Sequence, residues 1–139
     1  MAENIGPGET NYNMYDRQVA QEAIEWLTVH GNQEQPWVLF VSMVAPHFPL
    51  IAPEEFYGLY DHLDLMPQKP RENPEHPWHQ AMRSCQIMDN FTPERTRVAL
   101  ASYYGLVTFI DDLIGKILKT IDQNNLNKKT QIFYLSDHG

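Results

Sequence analysis

Thiols are all but missing from these 139 residues: Cys85 is the single cysteine. No disulfide can close within the chain, and cysteine usage leaves the redox compartment undecided. Long apolar runs are missing too, since no stretch approaches the ~20 residues that a membrane helix requires. Cations are scarce: 10 Lys and Arg stand against 18 Asp and Glu, for a formal charge of −8. They never cluster, which excludes a protein whose main task is gripping nucleic acid or anionic lipid. An anionic substrate stays open, because a metal ion or a few local cations can reverse the field inside one pocket. Met1 to Gly8 has neither a basic start nor an apolar stretch, so no secretory signal is read there. As written, the chain would stay in the cytoplasm; a natural start further upstream, with a periplasmic or secreted destination, would lift that inference.

What is present fits one soluble globular domain. A 42% hydrophobic and 12% aromatic content supports a real core, and the length is too short for two ordinary domains. Residues 1–14, rich in Gly, Asn and Glu, read as a loose lead-in. From Tyr15 to His30, the residues Val19, Ala23, Ile24 and Leu27 form a helical stripe, and Gly31-Asn32 supplies a stop. Trp37 to Val44 is a continuous apolar run without polar alternation, which predicts a strand covered on both faces. Pro46 and Pro49 end it, with His47 between them.

Residues 53–91 are punctuated by Pro67, Pro70, Pro74 and Pro77 and hold His62, Arg71, His76, Trp78 and His79. This stretch reads as a lid-like insertion. Thr92-Pro93 then opens a long helix. Its stripe is Tyr103, Val107, Ile110, Ile114, Ile117 and Ile121, and the helix closes near Asp122 with Asn124-Asn125 beyond. Thr130 to Ser136 predicts a second buried strand. The order of elements predicts an α/β fold, a largely parallel sheet with helices on both faces.

Ligands in open α/β sheets bind beyond the carboxyl ends of strands. His47 and the pair Asp137-His138 fall just past two such ends. Gly139 permits a turn that would bring both members of the pair to one cation. A hard carboxylate with one imidazole suits Ca²⁺, Mg²⁺ or Mn²⁺ better than a structural zinc. Blander readings stand beside these. Ser136-Asp137-His138-Gly139 is also a polar turn, and His47 can simply bond a carbonyl in a rigid loop. His62, His76 and His79 match no metal spacing and read as surface residues. Of the adjacent Asp111 and Asp112, at most one can face a site, and a solvated or structural role is expected. Cys85 has no activating partner in sequence and reads as an ordinary thiol.

Three blocks together resemble the sulfatases of the alkaline phosphatase superfamily. They are Ala45-Pro46-His47-Phe48-Pro49 with Ala52-Pro53-Glu54-Glu55-Phe56-Tyr57, the helix from Tyr103 to Leu118, and Thr130 to Gly139 ending in Ser-Asp-His-Gly. The resemblance covers Trp37 to Gly139. It implies that Asp137 and His138 bind the active-site divalent cation, usually calcium, with Mn²⁺ or Mg²⁺ in relatives. It also implies that His47 is the active-site histidine that contacts the ester and assists the leaving oxygen.

The family's nucleophile is a formylglycine made within a Cys/Ser-x-Pro-x-Arg motif, which this sequence lacks. Cys85 precedes Gln86-Ile87-Met88-Asp89 and cannot supply it. The family's early Asp-Asp ligands and its later lysine have no counterparts here either. The expectation is an incomplete sulfatase domain, an internal fragment or truncated reading frame that turns over nothing alone and self-associates through exposed edges. Its parent would act on a sulfate ester of a small molecule or glycan. The alternatives are a phosphonate monoester hydrolase or phosphodiesterase of the same superfamily, and a non-catalytic binding or assembly module. Coding DNA upstream of Met1 separates the fragment from the module.

Overall fold

The structure, a computed structural model, describes residues 3–67, 76–86 and 91–137. In chain order its elements are β1 (Ile5–Pro7), α1 (Asn11–His30), β2 (Leu50–Ala52), α2 (Glu54–Tyr57), α3 (Pro77–Gln86) and α4 (Pro93–Gln123). β1 and β2 pair in parallel, Gly6 opposite Ile51, and α1 lies in the connection between them. The parallel pairing expected of the fold is present, but between two short segments that the sequence pattern does not mark as strands.

α1 begins at Asn11, four residues before the expected start, because Thr10 is an extended N-cap whose Oγ1 accepts the Asn13 N–H at 3.1 Å. Its buried residues are Asn13, Asp16, Ala20, Ala23 and Leu27, alternate steps of three and four that keep one face inward. Val19 and Ile24 are only half-buried. The helix stops at Gly31, where an added Cβ would lie 2.5 Å from both the Leu126 side chain and the Leu27 carbonyl.

α4 is the spine. Thr92 Oγ1 caps it by accepting the Arg95 N–H at 3.2 Å, and Pro93 opens its first turn. Asn124 caps the far end, followed by Asn125 at φ 55°, a left-handed conformation that asparagine tolerates. By length and composition alone α4 could cross a membrane, which corrects the expectation that no stretch approaches that apolarity. Here its inner face forms the core instead, with Leu106, Phe109, Ile110 and Leu113 clustering with Ala20 and Ala52.

Burial on α4 follows Ala99, Ser102, Leu106, Phe109 and Leu113, whereas Tyr103 and Val107 of the expected stripe are exposed. Small residues explain the offset. Ser102 receives the Gly6 N–H at 2.9 Å, and a Cβ at Gly105 would lie 3.0 Å from Ala52 Cβ and 3.2 Å from the α2 backbone. The backbones come together where side chains are least bulky. On α2, burial and then the Asp61 carboxylate push the Tyr57 phenol above its ordinary value of 10.0, so it stays neutral at ordinary pH.

The two expected buried strands need correction. Trp37 to Val44 and Thr130 to Ser136 have no ladder partner among the described residues. Trp37 and Leu39 pack against Leu27, Ile121 and Leu126, and Met43 against the main core. The intervening Val38 and Phe40 are 96% and 85% exposed, and Phe133, Tyr134 and Leu135 are exposed as well. A doubly covered strand needs neighbours on both edges and a layer on each face. Among the described residues the sheet consists of β1 and β2 alone, and neither run pairs with it. Within the Pro-rich stretch 53–91, α2 and α3 are formed, and residues 68–75 and 87–90 lie outside the described part.

Candidate active site

His47 lies in a turn, its N–H bonded to the Val44 carbonyl at 3.0 Å. The Ala45-Pro46 and Phe48-Pro49 peptides on either side are both cis. The imidazole is exposed, and Nδ1 lies 2.6 Å from the Phe48 carbonyl oxygen. A carbonyl can only accept, so this contact needs the proton on Nδ1 and leaves Nε2 as the bare nitrogen of the neutral ring. The bond to a carbonyl anticipated as the bland reading of His47 is thus present, and it selects a tautomer. The Tyr12 ring meets the imidazole edge-on, with centroids 6.2 Å apart.

Two side chains that sequence reasoning passes over hold this segment to α1. Asp16, fully buried, accepts the Val44 N–H at 2.7 Å and the Ala45 N–H at 2.9 Å. Asn13, 2% exposed, donates from Nδ2 to the Ile51 carbonyl at 3.1 Å. A signal for them exists in the sequence: both extend the three-and-four spacing of Ala20, Ala23 and Leu27, so they are polar residues on a buried stripe.

The other candidates are placed as follows. Asp137 ends the exposed segment from Gln131, and His138 lies outside the described residues. Among the described residues no group of three or more His, Cys, Asp or Glu could hold a metal ion. Asp137 therefore offers a chemically suitable oxygen, but the described part does not assemble a cation site around it. His62 is exposed and 3.6 Å from the Asp61 carboxylate, and His76 is exposed. For His79 only the backbone, within α3, is described. Asp111 faces solvent and Asp112 pairs with Lys116 at 2.6 Å, both in the structural roles expected. Cys85 is exposed on α3. A shallow surface hollow lined by Glu22, Glu25, Trp26, Val29 and His30 includes none of the candidate residues.

A Sulfatase family profile matches residues 2–139. The chain belongs to the sulfatase family. It is 28% identical to a choline-sulfatase of Rhizobium meliloti over 140 residues, which cover 94% of this chain and 27% of that protein. It is 28% identical to the human iduronate 2-sulfatase, covering 89% of the chain and 25% of that protein. An arylsulfatase of Clostridium perfringens is 28% identical, covering 99% and 27%. This sulfatase chain thus spans about a quarter of the length of these relatives. Membership of the alkaline phosphatase superfamily and the mixed α/β fold with parallel strands follow from the family match.

Proposed function

We propose that this chain is the central part of a catalytic domain that hydrolyses sulfate esters of small molecules or glycans. The seat of His47 carries the reading. Nδ1–H is given to Phe48, so Nε2 is the atom that would donate a proton to a leaving oxygen, or take one back, beside a bound ester. The matched relatives, named choline-sulfatase and arylsulfatase, support the ester class.

Asp137 and His138 are the proposed protein ligands of a divalent cation, calcium first and Mn²⁺ or Mg²⁺ as substitutes. When bound, such an ion neutralises charge on the ester oxygens. Two ligands make half a site, and the isolated chain should hold Ca²⁺ with a Kd on the order of 10⁻³ M or weaker. The Cys/Ser-x-Pro-x-Arg nucleophile motif does not occur in these residues. The 139-residue chain alone should therefore leave sulfate esters intact. We also propose that its exposed apolar segments make it self-associate.

The test pairs the 139-residue chain with the full product of its gene, each assayed on 4-nitrophenyl sulfate and on a matched phosphonate monoester. The full product should prefer the sulfate, lose activity in EDTA and regain it with Ca²⁺, and lose it again on Asp137→Asn. The short chain should be inactive throughout. Preference for the phosphonate would move the assignment to the phosphonate hydrolases of the superfamily. Rapid metal-dependent turnover by the short chain would overturn the division of labour proposed here.

A further inference from the structure

We infer that Asn13 and Asp16 of α1 are positioning residues that fix the His47 imidazole, an inference that rests on the role proposed above for that histidine. They lie one turn apart on the buried face of α1, where the later turns carry Ala20, Ala23 and Leu27. Packing alone would favour another apolar residue at each place, because a buried carboxylate or amide is costly unless it is bonded. Both are bonded, and to one segment. Asp16 uses both oxygens on the Val44 and Ala45 N–H groups, at the entry to the turn. Asn13 uses Nδ2 on the Ile51 carbonyl, at the exit. His47 sits between these two anchors.

The anchors reach the ring through few intermediates. Val44, whose N–H Asp16 receives, gives its carbonyl to the His47 N–H, and Phe48 gives its carbonyl to Nδ1. Tyr12, beside Asn13 in the first turn of α1, closes the other side of the ring edge-on. The direction of Nε2 is therefore set by the start of α1. Charged bonds to N–H groups are short and directional, which suits a carboxylate to this task. The nearest cation in sequence, Arg17, is paired elsewhere, with Glu9 and Glu55.

The experiment separates positioning from mere stability by the leaving group. 4-Nitrophenolate departs without a proton, whereas an alkoxide needs one, so a misplaced acid harms alkyl sulfates selectively. In the full gene product, Asp16→Asn should lower kcat on an alkyl sulfate about ten- to a hundredfold more than on 4-nitrophenyl sulfate, with KM little changed. Asn13→Ala should show the same pattern more weakly, and His47→Ala more strongly. If His47→Ala harms both esters alike, the role proposed for His47 is wrong. If His47→Ala discriminates but Asp16→Asn and Asn13→Ala do not, the positioning inference is overturned.

A second readout does not depend on turnover. In the 139-residue chain, the His47 ring resonances should move and its Nδ1 proton should exchange faster in Asp16→Asn. Ala23→Gly, which weakens the same helix away from the turn, should leave both in place. Unmoved His47 resonances in a folded Asp16→Asn chain would also overturn the inference.

Discussion

At Gly31 a hydrogen is all the packing accepts, because the chain turns out of α1 directly against Leu126, which is fully buried. Gly31→Ala should destabilise the chain by about 1–3 kcal/mol through overpacking. Leu126→Ala alone should cost about 2–5 kcal/mol by leaving a cavity. Part of the crowding comes from the Leu126 side chain, so the double variant should be less unstable than the sum of the two. Urea unfolding of the four proteins measures this, and strict additivity would show that the Leu27 carbonyl alone sets the limit. Residues also differ in how openly they announce themselves. His47 is legible because two prolines frame it. Asn13 and Asp16 are not, because a polar residue on an apolar stripe reads as an interruption until its bonding partner, 28 or more residues away, is known.

Among the elements, α4 is legible almost to the residue and α1 at its carboxyl end, since these ends depend on local groups, whereas the start of α1 lies four residues ahead of its apolar stripe. Thr92 with Pro93 and Asn124 with Asn125 act within a few residues of themselves. Thr92→Ala should therefore cost about 1 kcal/mol, and Thr92→Asp should keep most of the stability; equal losses in a thermal melt would show that the cap contributes through something other than its oxygen. Which face of α4 is inward is less legible. Large apolar residues mark a stripe, but Ala99, Ser102 and Gly105 decide where other backbones can approach. β1 and β2, three residues each, are too short to leave a period in the sequence. The two apolar runs fail in the opposite way. Their composition speaks of burial on both sides, yet burial depends on neighbours that no local pattern contains.

For the molecule as a whole, those runs leave Val38, Phe40, Phe133, Tyr134 and Leu135 in water. Exposed apolar segments with no ladder partner among the described residues invite pairing with other chains. Light scattering should report association that rises with concentration. Phe40→Lys with Phe133→Lys should return the chain towards the monomer without lowering its melting temperature, because neither side chain is in the core; a compact monomer in the parent chain would refute the proposed self-association. β1 sets a timetable as well as a shape. Its place is made by Leu50 to Ala52 and by Ser102, whose hydroxyl receives the Gly6 N–H across 96 residues. A ribosome delivers the chain from its amino end. Made well ahead of its partners, β1 must therefore wait, unseated, until Leu50 to Ala52 and then Ser102 have emerged.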